Sequence, residues 1–335
     1  MAFEPLKRAR LVRDSVIKQF EDGQESRWTL TLLANIGGSL GRGVLIDGTH
    51  LIMISTLQTQ VRRRLVSVRS IEDDEIARRE SVKVLDAILE TIVVHFFTNP
   101  MSKWVALWKE AAPLFRRLCP EPSGSPINLP SLLQHPDVSL RHHAHMDIIS
   151  STLMDVPMLF RYDCTPQSIR SIWYHTGEAQ HDSGAQWFHG TPDRFLAMFA
   201  KINAMREDGW VATPEIITVF ERGIDEFQPA QGNSRDSFAS VTRLVVHECW
   251  RQAAYIYLYM GLCGDSSDTP RVKQALKQFM KLLDGTKPGR RPDEFLVISL
   301  VLVAPAARKK RERETIRRRM HGLRVNGPAM GPTTI

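Results

Sequence analysis

Apolar residues recur along this chain at three- and four-residue spacing, the period of amphipathic helices and not of strands. Leu51, Ile54, Leu57, Val61, Leu65 and Val68 form one such stripe, with Thr49 placed to cap it. Val82, Leu85, Leu89, Ile92 and Phe96 form a second. Asn99-Pro100 restarts the chain ahead of a third, which carries Trp104, Trp108 and Ala111 until Pro113 kinks or breaks it. A further helix is predicted from about Asp137 to Met154. Two helix starts then follow in near repetition. Thr191-Pro192-Asp193 opens a helix that Gly209 ends, and Thr213-Pro214-Glu215 opens one that Pro229 ends. Each offers a capping hydroxyl, a proline in the first turn and an acid at the positive helix end, so the pair reads as a helical hairpin.

The segment Arg243–Gly264, RLVVHECWRQAAYIYLYMGLCG, is apolar nearly all round. A helix of that kind is buried among other helices. Trp250, Tyr255 and Tyr259 are therefore expected in a core. A shorter helix through Val272, Leu276, Phe279 and Leu283 follows, then the turn KPGRRPDEF, an apolar helix and a basic one carrying Ile316 and Met320. No segment alternates as a strand does. The expected fold is all-α, a multi-helix bundle or array in one large domain over 1–321, with 322–335 a glycine- and proline-rich flexible tail.

Composition narrows this only slightly. The chain has 335 residues, 43% of them hydrophobic, enough for a sizeable core. Four cysteines without CxxC pairs do not suggest a disulfide framework. The start, MAFEPLKRAR, has no apolar signal core, and FLVISLVLVAP from Phe295 is too short to span a bilayer. The net charge of +7 is modest, and much of it sits in one run. That run holds Arg308, Lys309, Lys310, Arg311, Arg313, Arg317, Arg318 and Arg319 against two acids. It reads as a nuclear-import or nucleic-acid patch, or as a solvated helix whose cations suit its C-terminal end. It lacks the interleaved aromatics of a single-strand binder.

Three other groupings invite chemistry. GGSLGRG, Gly37–Gly43, lacks the lysine of a phosphate loop, and a close-packed helix or helix break accounts for it better. His142, His143 and His145, with Asp147, supply metal-ligating side chains on one helix, but a zinc site needs a further ligand from elsewhere. A metal-dependent hydrolase built on them is the alternative to a non-enzyme, and a helical scaffold with no transcriptional role is another. His247, Glu248, Cys249 and Cys263 suggest a nucleophile, yet a cysteine beside Trp250 in a buried helix is ordinary core.

The stretch ECWRQAAYIYLYMGLCG, followed by DTPRVKQALKQFMKLLDGTKPGRRPDEFL and IRRRMHGL, resembles the C-terminal part of fungal-specific transcription factor domains. FEPLKRARLVRDSVIKQFE, PLFRRLCPEP with NLPSLL, MLFRYDCT and GTPDRFLAMFAKINAMREDGW agree in order, from about Phe3 to Leu323. KPGRRPDEF is the sharpest element. The resemblance implies an all-helical regulatory domain of a nuclear regulator that catalyses nothing. In that family DNA is bound by a six-cysteine zinc binuclear cluster, and this chain has no such cysteine arrangement. Either the chain is the regulatory part alone, or it is a relative that lost its DNA-binding module; zinc is expected only in that missing cluster domain, with no cofactor in the chain itself. DNA is reached only through that domain, and direct contact by this chain is weak and salt-sensitive. The implied partners are other transcription proteins or a second copy, with no membrane. If a small apolar effector binds, the expected pocket lies beside Trp250, with the hydroxyls of Tyr255 and Tyr259 orienting it.

Overall fold

A computed structural model describes residues 13–14, 16–41, 47–99, 101–164, 189–229, 237–288 and 290–324. Residues 230–236 and most of the tail lie outside them. The architecture is all-α, with two short strands. The described residues fall into two compact units, one within 13–123 and one within 124–323.

The first unit contains α1 (Gln24–Gly41), α2 (Gly48–Val68), α3 (Asp74–Thr98) and α4 (Met101–Leu118). The long α3 packs against the other three. Its Val84, Leu85, Ile88, Leu89 and Ile92 are buried, as are Ile54, Leu57, Val61, Leu65 and Val68 of α2. Leu51, assigned to the same α2 stripe by spacing, is 51% exposed. Trp108 and Phe115 of α4 complete this core. Arg62 of α2 grips Glu110 of α4 with two bonds, Nε at 2.8 Å and Nη2 at 2.7 Å.

Local chemistry in the first unit departs from the sequence reading. Asp47, not Thr49, caps α2: its side chain accepts the His50 N–H at 3.0 Å, and the His50 ring returns to the Asp47 backbone. Proline at 113 does not break α4, which continues to Leu118. Gly37 lies inside α1, and a Cβ there would meet nothing within 4 Å, so no close helix approach depends on it.

The second unit opens with β1 (Ile127–Asn128), which pairs in parallel with β2 (Tyr162–Asp163). These strands, too short to show alternation, flank α5 (Leu129–Leu133) and α6 (Val138–Met154). Next come α7 (Asp193–Glu207) and α8 (Pro214–Asp225), then α9 (Ser237–Ile256), which passes directly into a π-helical turn, Tyr257–Leu262. Helices α10 (Pro270–Asp284), α11 (Arg290–Val303) and α12 (Lys310–Arg324) finish the unit, with a 3₁₀ turn, Ala304–Ala306, before α12. α9 is the hub: α10 and α11 pack on it most extensively, and α7 and α8 also touch it. The chain just after α8 meets the start of α7, with the Phe195 and Phe227 rings 4.6 Å apart, but the two helices do not pack along their length as the predicted hairpin would. Thr213 caps α8 as its sequence signature predicts. Thr191 does not cap α7; its hydroxyl is hydrogen-bonded to His145 Nε2 at 3.0 Å.

Candidate functional site

The segment with the strongest sequence signature is the end of α9 and the π turn. Trp250 is fully buried and faces the Phe199 ring of α7 at 6.1 Å. Tyr257 meets Phe199 edge-on at 5.3 Å. Its hydroxyl donates to Asn203 Oδ1 and accepts from Arg206 at 3.2 Å. Asn203 in turn donates to Ile148 O and Thr152 Oγ1 of α6, both at 3.2 Å. One buried polar chain thus ties α6 and α7 to the π turn, with its members satisfied as a low-dielectric interior requires.

The wider π helix depends on Gly261. A Cβ there would lie 3.0 Å from Cε2 of Tyr257, so the ring would have to give by a few tenths of an ångström to admit a side chain. The register change shows in the Cys263 N–H, which donates to Leu258 O at 3.1 Å. Turns of this kind are often found at functional sites, because they swing side chains out of the α-helical phase.

On the other side of α9, Tyr255 and Tyr259 stack at 5.8 Å with 21° between ring planes. Their hydroxyls are used within the protein: Tyr255 donates to Asp225 and Tyr259 to Glu221 Oε1 at 2.8 Å, both on α8. Burial and these carboxylates push both phenols well above their ordinary range. Arg251 closes the end of α8 by donating to Ile224 O, Asp225 O and Phe227 O at 2.5 to 3.0 Å. Arg271 lies 4.3 Å over the Tyr259 ring and is bidentate to Asp265 at 2.6 and 3.0 Å. An effector oriented by the tyrosine hydroxyls would have to displace Asp225 or Glu221. Cys249 is buried, with its thiol pushed far up by burial, which is the wrong direction for a nucleophile.

The histidine cluster is divided by the helix. His142 and His145 turn toward His189, with ring centroids at 4.7 and 4.3 Å, the second pair stacked. His143 faces Phe160 at 6.1 Å instead. Burial pulls His142 down to about 4 and His143 and His145 to about 3. Asp147 accepts from Leu159 N at 2.8 Å, Phe160 N at 3.2 Å and the Tyr162 hydroxyl at 2.9 Å. Burial nonetheless raises its carboxyl to about 7. It serves as a staple for the chain after α6. Among the described residues no set of three or more His, Cys, Asp or Glu side chains is placed to hold a metal ion, so the hydrolase alternative finds no ligand set there.

The basic run divides too. Arg308, Lys309, Lys310, Arg311, Arg313, Arg317 and Arg318 are exposed. Arg319 leaves the patch: it is buried, ion-paired to Asp293 at 2.6 Å, and donates to Leu283 O and Thr286 O. Its position three residues after Ile316, on the apolar face, was the sequence signal for this. α12 starts at Lys310, so Arg308–Arg311 cluster at its N-terminal end, opposite to the end that favours cations.

A family model for the fungal-specific transcription factor domain matches residues 58–327, most of the chain. This all-helical chain belongs to the fungal-specific transcription factor domain family, and so has a regulatory role in transcription. The match takes in most of α2 and all of α3–α12, including the π turn, the Arg319–Asp293 pair and the basic helix. No curated protein and no solved structure matches the chain. Among the described residues no helix is long and apolar enough to cross a membrane.

Proposed function

We propose that this chain is a non-catalytic interaction domain of a nuclear transcription regulator. It works through contacts with other transcription proteins or a second copy of itself, and DNA sequence is read by a zinc-cluster domain that is not in this sequence. The observation that supports this best is the family match across 58–327. The internal use of the chemically suggestive side chains agrees with it: Tyr255, Tyr259, Asp147 and Arg319 all serve the fold.

The exposed cations from Arg308 to Arg318 are proposed as the nuclear-import determinant. Proximity labelling from the chain in living cells tests the whole reading. The expected result is labelling dominated by chromatin-bound transcription proteins, abolished when the exposed cations are changed to glutamine. A cytoplasmic labelling pattern for the unaltered chain contradicts it, and nuclear labelling that survives the charge change removes the import role.

A further inference from the structure

The exposed face of α12 carries more positive charge than the fold uses. Seven cations from Arg308 to Arg318 are exposed, against Glu312 and Glu314. Glu312 engages Lys309 at 3.7 Å and Glu314 engages Lys310 at 3.9 Å. Asp268 lies 3.9 Å from Arg308 and Asp284 3.7 Å from Arg311. Among the described residues no carboxylate lies within 4.0 Å of Arg313, Arg317 or Arg318. At 100° per residue, Lys310, Arg313 and Arg317 fall on the outward face, away from buried Thr315, Ile316 and Arg319, and Arg318 lies on the flank, 3.5 Å from the Thr315 hydroxyl. Packing does not require that arrangement, and the first-turn cations Lys310 and Arg311 face the positive end of the helix dipole, each unfavourable by about 0.3–1 kcal/mol, whereas Arg317 and Arg318 lie in the C-terminal half.

The helix is also held in place. Ile316 and the Arg319–Asp293 pair fix its inner face, so the cations project from a folded helix and not from an extended peptide. The kind of partner follows from what the face lacks. Protein interfaces centre on buried aromatic anchors, and arginine contributes beside them rather than in their place. Among the described residues α10, α11 and α12 expose no large apolar side chain. A nucleic-acid backbone needs none; arginine and lysine on phosphate suffice, and arginine provides the planar fork that phosphate accepts. From Lys310 to Arg318 the helix advances about 12 Å, a length over which duplex DNA presents about seven charges. No aromatic residue is interleaved to stack bases, which disfavours single strands.

We infer that the outer face of α12 is a docking surface for the phosphate backbone of duplex nucleic acid, a sequence-independent contact made by the regulatory domain itself. It adds affinity to whatever reads the bases and sets no specificity.

The test is fluorescence anisotropy of a labelled 20-base-pair duplex of arbitrary sequence, titrated with the 335-residue chain between 25 and 200 mM salt. The triple change Arg313→Gln, Arg317→Gln, Arg318→Gln is compared with Lys273→Gln, Lys277→Gln, Lys281→Gln on α10, which removes equal charge from exposed positions of the same unit. Thermal melts confirm that both variants are folded. The expected result is binding of two unrelated duplexes alike. The α12 variant should also flatten the slope of log affinity against log salt by about 2.7, or about 0.9 for each phosphate no longer neutralised. The α10 variant should keep the wild-type slope. The inference is overturned by no binding at 25 mM salt, by an unchanged slope in the α12 variant, or by equal weakening in both triples. A polyglutamate peptide that competes as well as the duplex at equal charge also overturns it, in favour of an acidic protein partner.

Discussion

Arg319 and Asp293 form a buried ion pair, 2.6 Å between Nη1 and Oδ1, with each side chain 4% exposed. Asp293 lies in KPGRRPDEF, the sequence element that most clearly marks the family; expected as a turn from the sequence, it enters α11 at Arg290. Arg319 also satisfies Leu283 O and Thr286 O, the carbonyls at the end of α10. One guanidinium therefore joins the ends of α10, α11 and α12. Breaking such a pair from one side strands a charge in the interior, which costs about 3–5 kcal/mol. Arg319→Met should lower unfolding free energy by that amount in urea titrations. Arg317→Met, two positions away on the exposed face, should change it by less than about 0.5 kcal/mol. Equal effects of the two would show that Arg319 is not buried as described.

The π turn makes a prediction of opposite signs at two glycines. Gly261→Ala would set a methyl 3.0 Å from the Tyr257 ring, which must then give by a few tenths of an ångström against Phe199 and Asn203, and overpacking of this kind costs about 1–3 kcal/mol. Gly322 lies in α12 with nothing within 4 Å of its missing Cβ. Alanine there should stabilise by up to about 1 kcal/mol, less if the helix end frays. Thermal melts of the two variants side by side check both signs.

Arg251 should govern how firmly α8 is held. It supplies three donors to the carbonyls that end that helix. Arg251→Met removes the guanidinium from these carbonyls, leaving Ile224 O with its Phe227 N–H donor at 3.3 Å. Amide hydrogen exchange should then accelerate along Pro214–Asp225 while α3 in the other unit keeps its protection. Unchanged exchange in α8 would mean that the tyrosine contacts to Glu221 and Asp225 suffice alone.

Acid sensitivity follows from the buried histidines. His143 and His145 are held near 3 in the folded chain, below the ordinary 6.5, because burial disfavours the cation. The unfolded chain therefore binds protons first as pH falls below about 6.5, and stability drops with it, by about 1.4 kcal/mol per pH unit for each such group. Asp147, raised to about 7, binds a proton in the folded state across the same window and offsets one of them. Urea midpoints should fall from pH 7 to pH 5, and His145→Gln should make that fall shallower. A midpoint that is flat or rises toward acid contradicts the neutral, buried state of these rings.

Much of the fold was legible because helical spacing records burial directly. Ile54, Leu57, Val61, Leu65 and Val68 of α2 are buried as their period indicates, and Thr213 caps α8 as its motif indicates. Capping was less legible, since several polar residues near a helix start compete and tertiary partners decide between them. Asp47 took the place given to Thr49, and Thr191 was drawn away by His145. The π turn left almost no trace in the pattern, because a shift from i+4 to i+5 bonding over six residues changes no hydrophobic period; only Gly261 hints at it. Pairings such as Tyr259 with Glu221, or Arg319 with Asp293, join residues 38 and 26 apart and depend on how helices cross. Arg319 was the one readable case, through its phase with Ile316.

If this chain regulates transcription through the contacts of a folded helical domain, its effect should transfer to a foreign promoter. The chain is fused to an unrelated DNA-binding module, and a reporter gene carrying that module's site is read. The predicted result is reporter output different from that of the module alone, returning to the module's level with Arg319→Met, which disables the second unit. A folded, nuclear fusion whose output equals that of the bare module would contradict a regulatory role for the domain.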